Sequence, residues 1–341
     1  MNTINRQWLL RRRPEGAVGV DDFEFREGTV PELGDGDVLV RSLYFGYDAS
    51  QRIWITSHGG YMPPVAIGEP MRTMGIGQVV KSCHPGYTEG DLVCGFLSWQ
   101  DYVIARADGP MPLQIVPRGD YPLSWHLGVL GVSGLTAYFA VTDVLKVQPT
   151  DTVVISAATG ATGSIAGDIC KAMGVKRVIG IAGGAEKCDW ITNKAHYDAA
   201  IDYKNDDLSR RLHELCPEGV DAYFDNVGGD MLDTLLEHMA PRGRVVICGA
   251  MSSGYTSPDI PGPKKYMNIC TKMLQVQGIL LFFYGERLQA AAQTLVRWIG
   301  EGKIHVEEEI VEGFEHAPRL LPTLFSGKNP GKLLLKIADP V

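Results

Sequence analysis

Val153-Val154-Ile155-Ser156-Ala157 runs directly into Ala158-Thr159-Gly160-Ala161-Thr162-Gly163, and residues 163–173 then carry apolar side chains at helical spacing around Gly167. A short uncharged run closed by small residues reads as a buried strand, and the spacing after it as a helix. Working outward, the pattern repeats. Arg177–Ala182 is a second apolar strand, residues 185–195 are helix-like, and a third strand ends at Ile201-Asp202. A fourth is Ala222-Tyr223-Phe224-Asp225, a fifth spans Arg244–Gly249, and a further one is expected at Leu274–Gly278. Strands alternating with helices every 20–25 residues predict parallel βαβ units in a doubly wound α/β sheet.

Before about residue 125 the text differs. Asp37–Tyr44, Gly75–Val80 and Asp91–Phe96 are strand-like, and Gly34-Asp35-Gly36, His84-Pro85-Gly86 and Glu89-Gly90-Asp91 punctuate them. Short strands with close turns predict a compact β-rich module. Residues 287–300 read as an amphipathic helix, after which the tail returns to strand and turn text ending Gly331–Ile337. The expected layout is a β-rich module (1–125 and 305–341) interrupted by an α/β module (126–304). The length of 341 residues fits two domains.

The loop at 158–163 has a specific physical use. Small residues let the backbone approach a pyrophosphate, whose charge rests on free N–H groups at the positive end of the following helix. Ala158 stands where a G-x-G-x-x-G fingerprint has its first glycine. The second strand then selects the dinucleotide. An NAD site carries Asp or Glu at that strand's tip to bond the ribose 2′-hydroxyl. Here the tip is Ala182-Gly183-Gly184-Ala185-Glu186-Lys187. Two glycines leave room and Lys187 can reach a 2′-phosphate, while Glu186 on a helix points about 100° away from it. NADP(H) is therefore the expected cofactor.

Composition narrows the rest. Hydrophobic residues make up 45% and charged residues 21%, a globular and not a disordered balance. The net charge of −8 argues against a nucleic-acid partner. The one basic run, Arg11-Arg12-Arg13, reads as the polar end of a first strand. Seven cysteines are spaced without a C-x-x-C, so neither a disulfide framework nor a structural zinc is expected, and reduced thiols fit the cytoplasm. No secretory signal is read at the N-terminus and no uncharged apolar stretch of about 18 residues suggests a membrane span. The histidines and cysteines do not cluster at metal-ligand spacing, and His58, His84 and His126 lie in turn-like text. No G-x-S-x-G elbow occurs. A carbonyl in such a site would be polarised by hydrogen bonds.

These residues carry a resemblance. Arg13-Pro14-Glu15-Gly16, Ser98-Trp99-Gln100-Asp101-Tyr102, Gly134-Leu135-Thr136-Ala137-Tyr138, Ala157–Gly163 and Ala182–Cys188 occur in order. Asp225-Asn226-Val227-Gly228-Gly229, Cys248-Gly249 and Gly327–Lys332 follow. The chain resembles, nearly end to end, the zinc-independent medium-chain dehydrogenase/reductases, in the branch of leukotriene B4 12-hydroxydehydrogenase, prostaglandin reductases and bacterial curcumin reductases. The resemblance implies a GroES-like catalytic domain and a Rossmann domain with NADPH between them. Gly160, Ala161, Thr162 and Gly163 then map to the pyrophosphate loop, and Gly184, Lys187 and Tyr203 to the 2′-phosphate. Asn226, the run Cys248, Gly249 and Ser252 towards Tyr255, the segment ending at Phe282, and Asn329 map to positions lining the cofactor. The chain departs from the pattern at Asp48-Ala49-Ser50-Gln51-Arg52, where relatives carry D-P-Y-M-R facing the substrate, and at Gly131-Val132-Ser133-Gly134, where they carry G-M-P-G. The pocket is thus expected to lack an aromatic, fitting a smaller or more polar substrate.

The implied activity is NADPH-dependent, metal-free reduction of the C=C bond of α,β-unsaturated ketones or aldehydes. Hydride passes to the β-carbon, and the developing enolate oxygen needs a donor already in place. Tyr255 and the cofactor's ribose 2′-hydroxyl are the expected donors. Quinone reduction, alcohol oxidation on the same fold, and a non-catalytic NADPH-binding protein remain the alternatives. A homodimer is expected by likeness alone.

Overall fold

The computed structural model describes residues 3–58, 60–106, 109, 111–117, 119–257, 259–327 and 330–341. The chain opens with an antiparallel pair, β1 (Ile4–Leu10) and β2 (Phe23–Thr29). There follow β3 (Asp37–Gly46), the short helix α1 (Ser50–Trp54), β4 (Arg72–Ser82), β5 (Leu92–Ser98), β6 (Tyr102–Arg106) and β7 (Gln114–Ile115). Helix α2 (Val132–Phe139) leads into β8 (Thr152–Ser156), α3 (Ala161–Ala172), β9 (Arg177–Ala182), α4 (Ala185–Asn193) and β10 (Ala199–Asp202). Then come α5 (Leu208–Leu215), β11 (Val220–Asp225), α6 (Gly229–His238), β12 (Met239–Ile247), α7 (Met267–Thr271), β13 (Gln275–Gly278) and α8 (Leu288–Gly300). The chain closes with β14 (Glu308–Glu312), α9 (Ala317–Ser326) and β15 (Lys332–Lys336).

Among the described residues, the α/β part is one parallel six-stranded sheet in the order β10-β9-β8-β11-β12-β13. The strand order reverses between β8 and β11. At such a switch point the loops leaving the carboxyl ends diverge and open a crevice. Both faces of the central strands are covered, which is why β8, β9 and β11 are mostly apolar. Val153, Ile155, Val178, Phe224 and Val246 pack on one side with Ile165 and Ile169 of α3 and Leu295 of α8. Val154, Ile179, Tyr223 and Val245 pack on the other with Leu212 of α5 and Leu235 and Leu236 of α6.

The β-rich part is a second sheet, β14-β15-β3-β4-β5-β7, with β6 also paired to β3. The returning tail therefore completes the first module: β15 runs antiparallel to β3, and β14 lies parallel outside it. Leu333 and Leu335 of β15 pack with Phe45, Tyr47, Trp54 and Trp99. Chain return of this kind makes the two lobes one topological unit with the α/β sheet inserted. The Rossmann and GroES-like expectation stands.

Arg11-Arg12-Arg13 follows β1 as expected. Arg12 Nε donates to Asp22 Oδ1 (2.8 Å), and Arg13 spends its guanidinium on the carbonyls of Ile55, Thr56 and Val65. The tail differs from the expected strand and turn text, since α9 is helical across Ala317–Ser326. Pro318 sits in its first turn, where no N–H is needed, but Pro322 lies inside. Buried Ala317, Leu320 and Leu321 packed on Phe314 and Tyr47 outweigh that interruption.

Candidate functional site

The loop between β8 and α3 is shaped by close packing. Ala157 adopts a left-handed backbone (φ 49°), turning the chain back over the sheet. A Cβ on Gly163 would stand 2.4 Å from the Ala157 carbonyl oxygen, so only glycine lets α3 start so near the strand. Gly160 caps α3 in an extended conformation with no side-chain acceptor, leaving the N–H groups of Ala161, Thr162 and Gly163 without helical partners. Those donors, at the positive end of a twelve-residue helix, form an anion cradle. The loop is tied across the lobes: Gly331 N–H donates to Thr159 O (2.8 Å), and Gly160 and Gly331 form a parallel bridge.

At the end of β9, Gly183 lies beneath two side chains. A Cβ there would meet Lys204 Cε and Tyr203 Cε1, each at 2.8 Å. Gly184 (φ 102°) faces open space and its N–H donates to Asp202 Oδ1 (2.7 Å). Asp202 is thereby consumed, since it also accepts from Lys204 N and Asn205 Nδ2. Lys187 is half-buried, and burial, then the neighbouring Lys204 ammonium, lowers its pKa. Two ammonium groups beside a small-residue turn make a locally positive pocket that could hold a doubly charged phosphate. Lys204 was not singled out in the sequence. Its signal was a basic residue directly after Tyr203, but only the fold turns it over Gly183.

The third part lies at the carboxyl ends of β8, β11 and β12. Asn226 is nearly buried, with its N–H on Ser156 Oγ (2.9 Å) and Nδ2 on Ser156 O (2.7 Å), so its amide clamps β11 to β8. Asp225 is fully buried and its Oδ1 accepts from Tyr223 Oη, Val227 N and Gly228 N. Cys248 N and Gly249 N both donate to Asp225 O. Burial pushes the Cys248 thiol up to about 12. Ser252 Oγ donates to Val227 O (2.7 Å). These side chains hold the loops in place and are themselves hydrogen-bonded within the chain.

Tyr255 stands over this floor. It too is left-handed (φ 52°), and its hydroxyl accepts a hydrogen bond from Ala250 N–H at 2.8 Å. A Cβ on Gly249 would meet that oxygen at 2.9 Å. Burial raises the phenol pKa, keeping the proton on. With an acceptor position filled by the backbone, the O–H is left to donate.

The opposite wall comes from the β-rich lobe. Tyr61 packs edge-on against Phe282, ring centroids 5.9 Å apart, and lies close enough to raise the Tyr255 pKa further. The Tyr61 hydroxyl lies beside Ser50, the position where relatives carry the tyrosine of D-P-Y-M-R. An aromatic therefore returns to this wall from residue 61, against the expectation of a missing one. Gln51 is buried, with its amide on Arg72 O and Asp48 N, and does not add polarity to the cleft. Tyr61 sits in turn text, Gly60-Tyr61-Met62-Pro63-Pro64, which gave no sign of its position. Asn329 lies outside the described residues. Among the described residues, no three His, Cys, Asp or Glu side chains are grouped to hold a metal ion.

Comparison with known proteins gives the family. Residues 6–113 match the N-terminal domain of oxidoreductase model, and residues 161–299 the zinc-binding dehydrogenase model. The chain is 38% identical to the NADPH-dependent curcumin reductase of Escherichia coli, over 98% of this chain and 97% of that protein. It is 35% identical to the NADP(+)-dependent 2-alkenal reductase of Nicotiana tabacum, over 98% of each. The crystal structure of CurA from Vibrio vulnificus in complex with NADPH superposes with a TM-score of 0.90 at 35% identity, covering 98% of this chain and 100% of that one. The chain belongs to the medium-chain dehydrogenase/reductase family, in the branch that contains the curcumin and 2-alkenal reductases.

Proposed function

We propose that this protein is an NADPH-dependent reductase of the C=C bond in α,β-unsaturated ketones and aldehydes. Tyr255 carries the reading: a half-buried hydroxyl whose pKa burial raises, its acceptor side filled by Ala250 N–H, at the crevice of the switch point. The residues fit NADPH. The α3 N-terminus receives the pyrophosphate through Gly160, Ala161, Thr162 and Gly163. Gly184, Lys187 and Tyr203, joined by Lys204, receive the 2′-phosphate. Asn226, Cys248, Gly249, Ser252 and Phe282 shape the nicotinamide end, with Asn329 assigned by likeness alone.

When bound, NADPH supplies the hydride that reaches the substrate's β-carbon. Negative charge then grows on the carbonyl oxygen, and the Tyr255 O–H donates to it. The α-carbon takes its proton from Tyr255 or from water. Tyr61 and Phe282 meet edge-on across the cleft from opposite lobes, each still about half exposed. With Ser50 and Ala49 in place of larger residues but Tyr61 beside Ser50, the wall keeps an aromatic face, so enones that carry an apolar substituent remain acceptable substrates. NADPH oxidation followed at 340 nm with small enones, quinones and saturated ketones tests the reading: enones turn over best by kcat/KM. Faster quinone turnover would favour the quinone reductase alternative.

Two further features belong to the same reading. β13 is the outer strand of the parallel sheet and is exposed along its length, with Val276 at 40% and nearby Met273, Met267 and Phe283 also exposed. An open, partly apolar edge supports a homodimer joined there. Seven free cysteines, four of them with thiols raised by burial (Cys94 and Cys248 to about 12, Cys188 and Cys216 to about 11) beside the buried Cys170, support a reducing cytoplasm. The lobes divide near residues 125 and 305.

A further inference from the structure

Lys332 is a charge in the wrong place for a surface residue. It is only 2% exposed, and burying an ammonium is costly unless it is fully paired. Its Nζ donates to Tyr47 O (3.1 Å) and to Asp48 Oδ1. Glu308 faces it in the β14–β15 register, with one carboxylate oxygen bound by Ser124 Oγ (2.6 Å) and the other buried without a partner. The residue before Lys332 is Gly331, whose N–H donates to Thr159 O on the phosphate loop, while Lys332 N–H donates to Glu307 O. Gly331 takes a left-handed backbone (φ 68°), and a Cβ there would stand 2.2 Å from Glu307 O. Two consecutive residues thus reach two places: one the cofactor loop, the other the segment that opens α1.

Asp48 is the N-terminal anchor of that segment. Its N–H donates to Gln51 Oε1, its carbonyl accepts from Gln51 N, and two residues on stands Ser50, beside Tyr61 and so opposite Tyr255. We infer that Lys332 is a positioning residue: its ammonium, through Asp48, holds the substrate wall formed by α1 and Tyr61 at a fixed distance from the phosphate loop held by Gly331. Misplacing a reacting partner by about 1 Å costs up to about 100-fold in rate, so this link acts on the substrate step. The cofactor loop is held separately, by the Gly331 backbone.

The inference rests on the enone-reductase reading, and NADPH binding measured without substrate keeps the two distinguishable. The variants are Asp48→Asn, Lys332→Met and the double variant. Asp48 is partly exposed and its replacement is isosteric, so D48N decides the matter if K332M fails to fold. Expected for D48N is a loss of about 10-fold or more in kcat/KM for a small enone, seen in both kcat and KM. NADPH affinity by fluorescence titration stays within about 2-fold, amide exchange across 48–54 accelerates, and the double variant is no worse than the more impaired single one. A D48N enzyme with kcat/KM within about 2-fold of the parent, or one whose NADPH affinity falls in the same proportion, overturns the inference. A parent protein that reduces no enone overturns the functional reading instead.

Discussion

Replacing Tyr255 by Phe removes one oxygen and leaves the ring in its place. Two losses follow from the geometry. The Ala250 N–H, which donates to that oxygen at 2.8 Å, loses its acceptor. A neutral hydrogen bond of this kind contributes about 1 kcal/mol, which lowers Tm by about 1–2 °C in a chain of 341 residues. The larger effect is kinetic. A preset donor to a developing oxyanion is worth about 3 kcal/mol, so kcat for an enone falls about 100-fold. The α3 N-terminus and Lys187 and Lys204, which we propose hold the two phosphate ends, lie on other loops, so NADPH affinity is expected to stay within about 2-fold. The assay is NADPH oxidation at 340 nm with titrated enone, beside fluorescence titration of NADPH alone. The pH profile gives a second check. Burial raises the phenol pKa, so the donating form persists to alkaline pH and is lost only as pH climbs through that raised value. The parent kcat is therefore level from about pH 6 to 9 as far as Tyr255 is concerned. A Y255F enzyme with unchanged kcat, or one that fails only through lost NADPH binding, would refute the donor role.

Three other outcomes are expected. Lys204→Ala raises KM for NADPH by about 3- to 10-fold and leaves KM for NADH unchanged, with K187A acting in the same sense; equal effects on both nucleotides would show a structural role. Gly163→Ala forces a Cβ to within 2.4 Å of the Ala157 carbonyl, so about 1–3 kcal/mol of stability is lost and NADPH binding weakens, read by thermal melting and titration. Exposed Cys83 and Cys270 react first with a maleimide at pH 8, while the Cys248 thiol, held near 12 by burial, stays unlabelled in the folded protein as judged by peptide mass mapping.

The parallel sheet was legible because its central strands β8, β9 and β11 are buried on both faces and mostly apolar, ending in small or acidic residues, whereas the edge strand β13 is short and exposed. The strand–helix turn at 157–163 was legible because its glycines are required locally, by the turn itself. What sequence could not give was proximity across the chain. Lys204 faces Lys187 only because β10 lies beside β9, and Tyr61 meets Phe282 only because the two lobes close on each other. Asn226 was expected at the cofactor; it lies at the carboxyl end of β11, and its amide nitrogen is bound to Ser156 O. Helix α9 was hidden by Pro318 and Pro322, whose penalty is offset by tertiary burial that a local pattern does not contain.

The destination of the hydride tests the central claim most directly. Reduction of a small enone with NADPH deuterated at the transferring C4 position, followed by NMR of the product, is expected to give a saturated carbonyl compound with deuterium on the β-carbon. Deuterium on the carbonyl carbon of an allylic alcohol, or no transfer to any enone, would contradict it.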